Sequence, residues 1–157
     1  MRVWRAGLSD AGSVVQLLGE FRDHLGYEWP ADESILASVN QLIEGEDTEY
    51  WLAGTDAGAT AAGVCQLRFR LSVWTGVDDC WLEDLFVRAS ERGTGLGRAL
   101  VVAAMDRARE RGCARIELDT EEANRPAVAL YESLGFSDTS KGPSRGLFMG
   151  ARLDGRA

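Results

Sequence analysis

Residues 96–111 limit the possible folds of this chain most, because they combine helical length with a single apolar face. The apolar positions recur at every fourth residue, namely Leu96, Leu100, Ala104 and Ala108. Gly112 follows as a typical C-terminal stop. A helix of this kind has to bury its apolar face against another layer, so the pattern predicts a layered globular domain.

Extended and helical patterns alternate along the rest of the chain. Strands are predicted at residues 3–6, 49–54, 61–71, 79–87 and 114–120, with further extended segments near Phe136 and at 147–153. Helices are predicted after an N-cap at Ser9 or Asp10, at 32–43 and at 126–134. This order predicts a mixed α/β layer fold. A chain of 157 residues has the length of one domain, so we expect residues 1–157 to form it.

The composition is that of a soluble globular protein, with 45% hydrophobic and 27% charged residues. The longest apolar run, residues 99–105, is too short to span a bilayer, and the first residues lack the apolar core of a signal peptide. We therefore expect a cytoplasmic protein that does not bind a membrane. Three cysteines and one histidine give neither a disulfide framework nor zinc-ligand spacing, which argues against a metal site.

The formal net charge is −8, which argues against a nucleic-acid partner held by general electrostatics. The negative charge is concentrated in residues 23–67, which contain nine acidic residues and no lysine or arginine. One interpretation is a solvated acidic face that keeps the protein in solution. The other is a field that attracts a cationic ligand.

Residues 92–98, Arg-Gly-Thr-Gly-Leu-Gly-Arg, form a glycine-rich turn between a predicted strand and the helix at 96–111. Glycines allow a tight turn whose successive N–H groups point at one spot, and such a spot at a helix N-terminus binds phosphate. The turn is not a Walker A loop, and its glycine spacing is not that of a dinucleotide fold. Arg92 and Arg98 favour a phosphate site over a simple tight connection, since guanidinium groups pair with phosphate oxygens.

Two elements carry a resemblance to a known family. Residues 82–87, Leu-Glu-Asp-Leu-Phe-Val, followed by Arg92, Gly95 and Gly97 in the pattern R-x-x-G-x-G, resemble the acetyl-CoA-binding core of the GNAT superfamily of N-acetyltransferases. The second element is similar to the family's N-x-x-A-x-x-L-Y-x-x-x-G-F and consists of Asn124, Ala127, Leu130, Tyr131, Gly135 and Phe136. Within the superfamily, residues 82–87 are most similar to the diamine (spermidine/spermine) N-acetyltransferase branch.

The resemblance implies a GNAT-like single domain. Its central sheet would be mixed and mostly antiparallel, flanked by helices, and splayed between the strands near 79–87 and 114–120. It allows a homodimer, and the sequence leaves the oligomeric state open.

The resemblance also implies acetyl-CoA as cosubstrate and no metal. The pyrophosphate would lie at Arg92, Gly93, Thr94, Gly95, Leu96, Gly97 and Arg98, the pantetheine arm along the main chain of Leu85, Phe86 and Val87, and Asn124 would contact CoA. A backbone N–H near Leu85 or Phe86 would polarise the thioester carbonyl. From the residues alone, Phe86 and Val87 are core side chains, and Asn124 is a local hydrogen bonder at a helix start.

Acetyl transfer to an alkylamine requires removal of a proton, because such an amine is mostly ammonium at pH 7. The resemblance selects Glu83 as the base, acting directly or through water, while Asp84 is the alternative. Adjacent strand residues point to opposite faces, so both could face the thioester only if a bulge intervenes. The spacing of Tyr131 fits a packed core residue, whereas the resemblance implies that its hydroxyl protonates the departing thiolate.

The function expected is direct acetyl transfer from acetyl-CoA to a primary amine, with a small cationic amine such as a polyamine as the leading acceptor. The candidate acceptor-binding residues are Glu28, Asp32 and Glu33, which lie in the acidic stretch near the loop between the first two helices, and Asp84 beside Glu83. One alternative is a protein or peptide N-acetyltransferase. The other is a non-catalytic acyl-CoA-binding sensor, which would need neither Glu83 nor Tyr131.

Overall fold

The computed structural model describes residues 1–56 and 60–154. The strands are β1 (Arg2–Arg5), β2 (Thr48–Gly54), β3 (Gly63–Leu71), β4 (Asp78–Val87) and β5 (Ile116–Glu117). The α-helices are α1 (Ala11–His24), α2 (Asp32–Glu44), α3 (Leu96–Glu110) and α4 (Arg125–Ser133). The chain forms two compact units, Met1–Leu118 and Asp119–Ala157. The first contains the sheet with α1 to α3, and the second contains α4.

The sheet follows chain order, β1-β2-β3-β4-β5, and its first three pairings are antiparallel. The last pairing, between β4 and β5, is parallel and consists of Cys80 with Ile116 and Trp81 with Glu117. Within the described residues, the part of β4 beyond Trp81 has no ladder partner on the β5 side. The predicted mixed, mostly antiparallel sheet that splays between these two strands is therefore confirmed.

Helices cover both faces of the sheet. Tyr50 of β2 packs in a buried cluster with apolar side chains of α1 and α2, including Val14, Leu17 and Val39. The preceding residue, Glu49, is bound by Arg107 of α3. Because neighbouring strand residues point to opposite faces, α3 lies across the sheet from α1 and α2.

The predicted apolar face of α3 is confirmed, since Leu96, Leu100, Ala104 and Ala108 are all buried. Gly112 follows the helix with φ of +74°, a backbone conformation that glycine adopts without strain. The described helices include none that is both long and apolar enough to cross a membrane.

The predicted strands near Phe136 and at 147–153 are wrong, because the described residues there form no strand. The apolar side chains in the second segment are 73% to 97% exposed, namely Leu147, Phe148, Met149 and Leu153. The predicted strand 114–120 is reduced to Ile116–Glu117. Apolar spacing indicates which residues could form a strand, but a strand also needs a partner for its backbone groups. Whether residues 1–157 behave as one domain stays a prediction.

Candidate active site

A β-bulge interrupts the ladder between β3 and β4. Cys65 pairs with Leu85 and Leu67 pairs with Leu82, so the single residue Gln66 lies opposite two residues, Glu83 and Asp84. An extra residue in one strand suspends the strict alternation of faces at that point. The condition under which Glu83 and Asp84 could both serve one site is therefore met.

Glu83 accepts two hydrogen bonds from neighbouring side chains of β3. Gln66 donates from Nε2 to Oε2 over 2.9 Å, and Arg68 donates from Nη1 to the same oxygen over 3.2 Å. The side chain of Glu83 remains 38% exposed. The carboxylate is thus held from one side and accessible to solvent, as a base that works on a bound amine or water must be.

Tyr50 lies buried on the α1 and α2 side of the sheet, in register with Gln66. Burial raises the pKa of its phenol, and the negative charges of Asp84 and Glu83 raise it further. Both carboxylates of the bulge therefore act electrostatically on the same buried hydroxyl. This arrangement leaves Asp84 open as the alternative to Glu83.

The main chain of residues 85–87 is paired along one edge only. Leu85, Phe86 and Val87 pair with residues of β3, and on the β5 side the described residues give them no ladder partner. The side chain of Phe86 is part of the core, since it is buried and stacks on Phe21 with ring centres 5.2 Å apart, while Leu85 and Val87 are half-buried. Both predictions for these residues are compatible, because an extended ligand arm would use only backbone groups.

The glycine turn adopts a conformation that requires its glycines. Gly93 has φ of +81° and Gly95, the N-cap of α3, has φ of +93°. A side chain at either position would be strained, because L-residues disfavour this region. The first N–H groups of a helix have no intrahelical acceptor, and they lie at the positive end of the helix dipole. The turn therefore fits a diphosphate group such as that of CoA.

Two side chains of the turn form hydrogen bonds with carbonyl groups that precede it in the chain. Arg92 donates from Nε to the carbonyl of Val87 at the end of β4, and the Thr94 hydroxyl lies 2.6 Å from the carbonyl of Glu91. Leu96 is buried, so only its main chain can face a ligand. Arg98 and Gly97 lie in the first turn of α3.

The second unit contains Asn124 and Tyr131. The Asn124 side chain caps α4 by accepting from the N–H of Ala127 over 3.4 Å, which is the local role expected from the residues alone. Tyr131 is 8% exposed and packs edge-on against Phe136 with ring centres 5.8 Å apart. The CoA contact of Asn124 and the proton donation by Tyr131 stay predictions.

The acidic stretch at 23–67 is not uniform. Glu49 is buried against Arg107. Asp32 forms an ion pair with Arg22, whose Nη1 lies 2.7 Å from Oδ1. Glu28 and Glu33 are exposed. Asp32 is exposed as well, so these three acids are all accessible, while the charge of Asp32 is shared with a cation.

The cysteines do not suit a covalent acyl-enzyme route. Burial raises the pKa of the Cys65 thiol and raises that of Cys80 to about 12. Both thiols therefore stay protonated at neutral pH, whereas a cysteine nucleophile reacts as the thiolate. The described residues also contain no cluster of three or more potential metal-ligating side chains.

The sequence reasoning missed Gln66 and Arg68. The available signal was a glutamine in the middle of an apolar strand, since a buried amide needs a hydrogen-bond partner. Its partner could not be identified without the register of β3 against β4.

The chain belongs to the acetyltransferase (GNAT) family, whose model matches residues 14–136. It is 32% identical over 163 residues to the thialysine N-epsilon-acetyltransferase of Mus musculus, a match that covers 99% of this chain and 94% of the relative. A mycothiol acetyltransferase of Thermobispora bispora is 55% identical over 51 residues, which cover 32% of this chain and 17% of the relative.

Among solved structures, a candidate acetyltransferase of Arthrobacter sp. FB24 is 31% identical and superposes with a TM-score of 0.87. The match covers 98% of this chain and 96% of that protein. The protein described here is accordingly a GNAT-family acetyltransferase.

Proposed function

We propose that this enzyme transfers an acetyl group from acetyl-CoA directly to a primary amine, with a small cationic amine as acceptor. The observation that carries the proposal is the sequence of features along one strand and the following turn. The bulge at Glu83 and Asp84 leads into the singly paired main chain of residues 85–87, and the glycine turn follows.

The described residues support a division of roles for the cosubstrate. The N–H groups from Gly93 to Arg98 bind the pyrophosphate, and the backbone edge of residues 85–87 that faces away from β3 binds the pantetheine arm. When bound, acetyl-CoA supplies a thioester carbonyl carbon as electrophile. A backbone N–H near Leu85 or Phe86 stabilises negative charge that develops on the carbonyl oxygen.

Glu83 is the proposed base. It takes the proton of the acceptor ammonium, directly or through water, so that the nitrogen can form the new C–N bond as the C–S bond breaks. The Tyr131 hydroxyl is the proposed donor of the proton that the departing thiolate takes up. Both roles come from the family resemblance. The solvent access and β3 anchoring of Glu83 support the first.

A cationic acceptor is supported by the exposed acids near the loop between α1 and α2, Glu28 and Glu33. The thialysine acetyltransferase relative acts at an Nε position. This name favours a flexible terminal amine as the acceptor class, and the diamine-like motif at 82–87 favours the same class. A polyamine is therefore the leading acceptor.

The test is release of free CoA thiol from acetyl-CoA in the presence of an acceptor panel. The panel should contain spermidine, a short diamine, lysine, a monoamine with no second charged group and a peptide with a free N-terminus. We expect the highest kcat/KM for a diamine or polyamine. Preference for the peptide would support protein N-acetylation instead. Binding of acetyl-CoA without turnover on any amine would support the non-catalytic sensor.

A further inference from the structure

Gln66 is a polar side chain buried in the middle of β3, with 4% exposure. It lies directly opposite the bulge and in register with Tyr50 on its other side. A buried amide is costly unless it forms hydrogen bonds. The amide group of Gln66 donates to Glu83. The hydrogen bond that offsets the cost of burying Gln66 therefore also orients the proposed base.

The two carboxylate oxygens of Glu83 have different surroundings. Gln66 and Arg68 both donate to Oε2. In the part of the chain that the structure describes, no donor reaches Oε1. The side chain is partly exposed, so Oε1 is the oxygen left to interact with a ligand or water.

We propose that Gln66, assisted by Arg68, is a positioning residue that holds Glu83 by Oε2 and thereby makes Oε1 the proton acceptor. The inference rests on the proposed function. In this step an N–H bond of the acceptor ammonium breaks, its electron pair stays on nitrogen, and the proton moves to Oε1 directly or through one water. The neutral nitrogen then forms the C–N bond while the C–S bond of the thioester breaks.

Two donors on one oxygen restrict the rotation of a glutamate side chain that would otherwise sample several rotamers. Correct placement of a catalytic group is worth a large rate factor, because small displacements remove the geometry needed for proton transfer. Gln66 is well suited to this task, since its own side chain is fixed by burial between β2 and β4.

The first variant is Gln66→Met, which keeps the length of the side chain and its burial but removes the donor. With the amine that the acceptor panel selects, kcat should fall about tenfold or more. The dissociation constant of acetyl-CoA, measured by calorimetry, should stay within about twofold, because the hydrogen bond that Gln66 loses is the one to Glu83 and not one to the turn at 92–98.

The deciding measurement repeats the substitution in a Glu83→Gln background. If Gln66 acts through Glu83, the second substitution costs little further activity. An equal fold-loss of kcat in both backgrounds would mean that Gln66 merely stabilises the sheet, and the proposal would be wrong.

Arg68→Gln supplies an independent route if Gln66→Met does not fold, since Arg68 is exposed. It should lower kcat in the wild-type background and have little effect after Glu83→Gln. The matched control is Arg70→Gln on the same strand, because Arg70 stacks on Trp81 and is not a partner of Glu83. Full activity of Arg68→Gln and Gln66→Met in an active wild-type enzyme would overturn the positioning role alone. A wild-type protein that acetylates no amine would overturn the proposed function.

Discussion

Glu49 and Arg107 form a two-pronged ion pair between β2 and α3, with Nη2 2.8 Å from Oε1 and Nε 3.0 Å from Oε2. The glutamate side chain is fully buried. Burial by itself would raise the pKa of Glu49. The hydrogen bonds from Arg107 and Trp51, with the charge of Arg5, outweigh burial and lower the pKa overall.

Glu49→Gln should therefore destabilise the protein by about 3 kcal/mol at pH 7, as expected for breaking a largely buried pair. A lowered pKa in the folded state stabilises the fold above the unfolded-state pKa of about 4.3, and this contribution is lost as the pH falls below that value. The difference in unfolding free energy between wild type and variant should thus narrow below about pH 4. Urea denaturation between pH 3 and pH 8 measures it.

The matched control is Glu110→Gln, which removes the exposed partner of the same arginine. We expect a change of at most about 1 kcal/mol, since exposed ion pairs contribute little. A comparable loss of unfolding free energy in both variants would mean that the buried pair of Arg107 with Glu49 stabilises the fold no more than its exposed pair with Glu110.

Gly95→Ala should reduce acetyl-CoA binding strongly while the protein stays folded. The residue has φ of +93° at the start of α3, so a side chain strains the turn by about 1 kcal/mol and obstructs a diphosphate. Gly112→Ala is the control, because Gly112 has φ of +74° at the other end of the same helix and open space around it. Calorimetry with acetyl-CoA should separate the two. Equal affinity of both variants for acetyl-CoA would mean that the diphosphate does not bind at the turn.

Glu83→Gln should depress kcat/KM by about 10² to 10⁴ at pH 7 and by less at high pH, where more of the acceptor is already neutral. The measurement is a profile of kcat/KM from pH 6.5 to pH 10 for one amine. A loss of equal size at every pH would indicate that Glu83 orients the acceptor. An unchanged profile, together with a large loss in Asp84→Asn, would identify Asp84 as the base.

Tyr131→Phe should keep the packing against Phe136, because the ring is retained. If the hydroxyl protonates the departing thiolate, kcat should fall by about 10² to 10⁴. The dissociation constant of acetyl-CoA should remain close to that of the wild type. Full kcat, with chemistry established as the slow step, would make Tyr131 a core residue only.

The exposed acids near the α1–α2 loop should affect the acceptor and not acetyl-CoA. Raising the ionic strength should lower kcat/KM more for a polyamine than for a monoamine with no second charged group, since exposed charges are screened over about 10 Å at 0.1 M salt. Glu28→Gln with Glu33→Gln should reduce this difference. Asp32→Asn should reduce it less, because Arg22 already neutralises that carboxylate. An unchanged salt response in the double variant would leave the stretch as a solvated face.

Sequence reasoning succeeded where the determining interactions are local. The apolar face of α3, its glycine stop and the turn before it depend on neighbours three or four residues apart, and the structure has all three. The end of the chain was predicted incorrectly, because apolar spacing at 147–153 does not specify a partner strand.

The candidate site was predictable only in part, for a related reason. Glu83 and the turn at 92–98 could be identified from motifs, but the contact between Gln66 and Glu83 joins residues on different strands. The bulge depends on how β3 and β4 are aligned, and a one-residue difference in register changes which side chains meet. Alternation along β4 alone contains no information on that alignment.

The bulge in β4 affects which substitutions and deletions this strand can accept during evolution. Glu83 and Asp84 lie opposite the single residue Gln66, and regular pairing continues at Leu82 on one side and at Leu85 on the other. Substitutions at positions 83 and 84 can therefore occur without a change in the register of the strands. Loss of a single residue there would remove the bulge, because the two strands would then pair without interruption. The hydrogen-bonded ladder between β3 and β4 would survive, but a single side chain would lie opposite Gln66, where Glu83 and Asp84 now both lie.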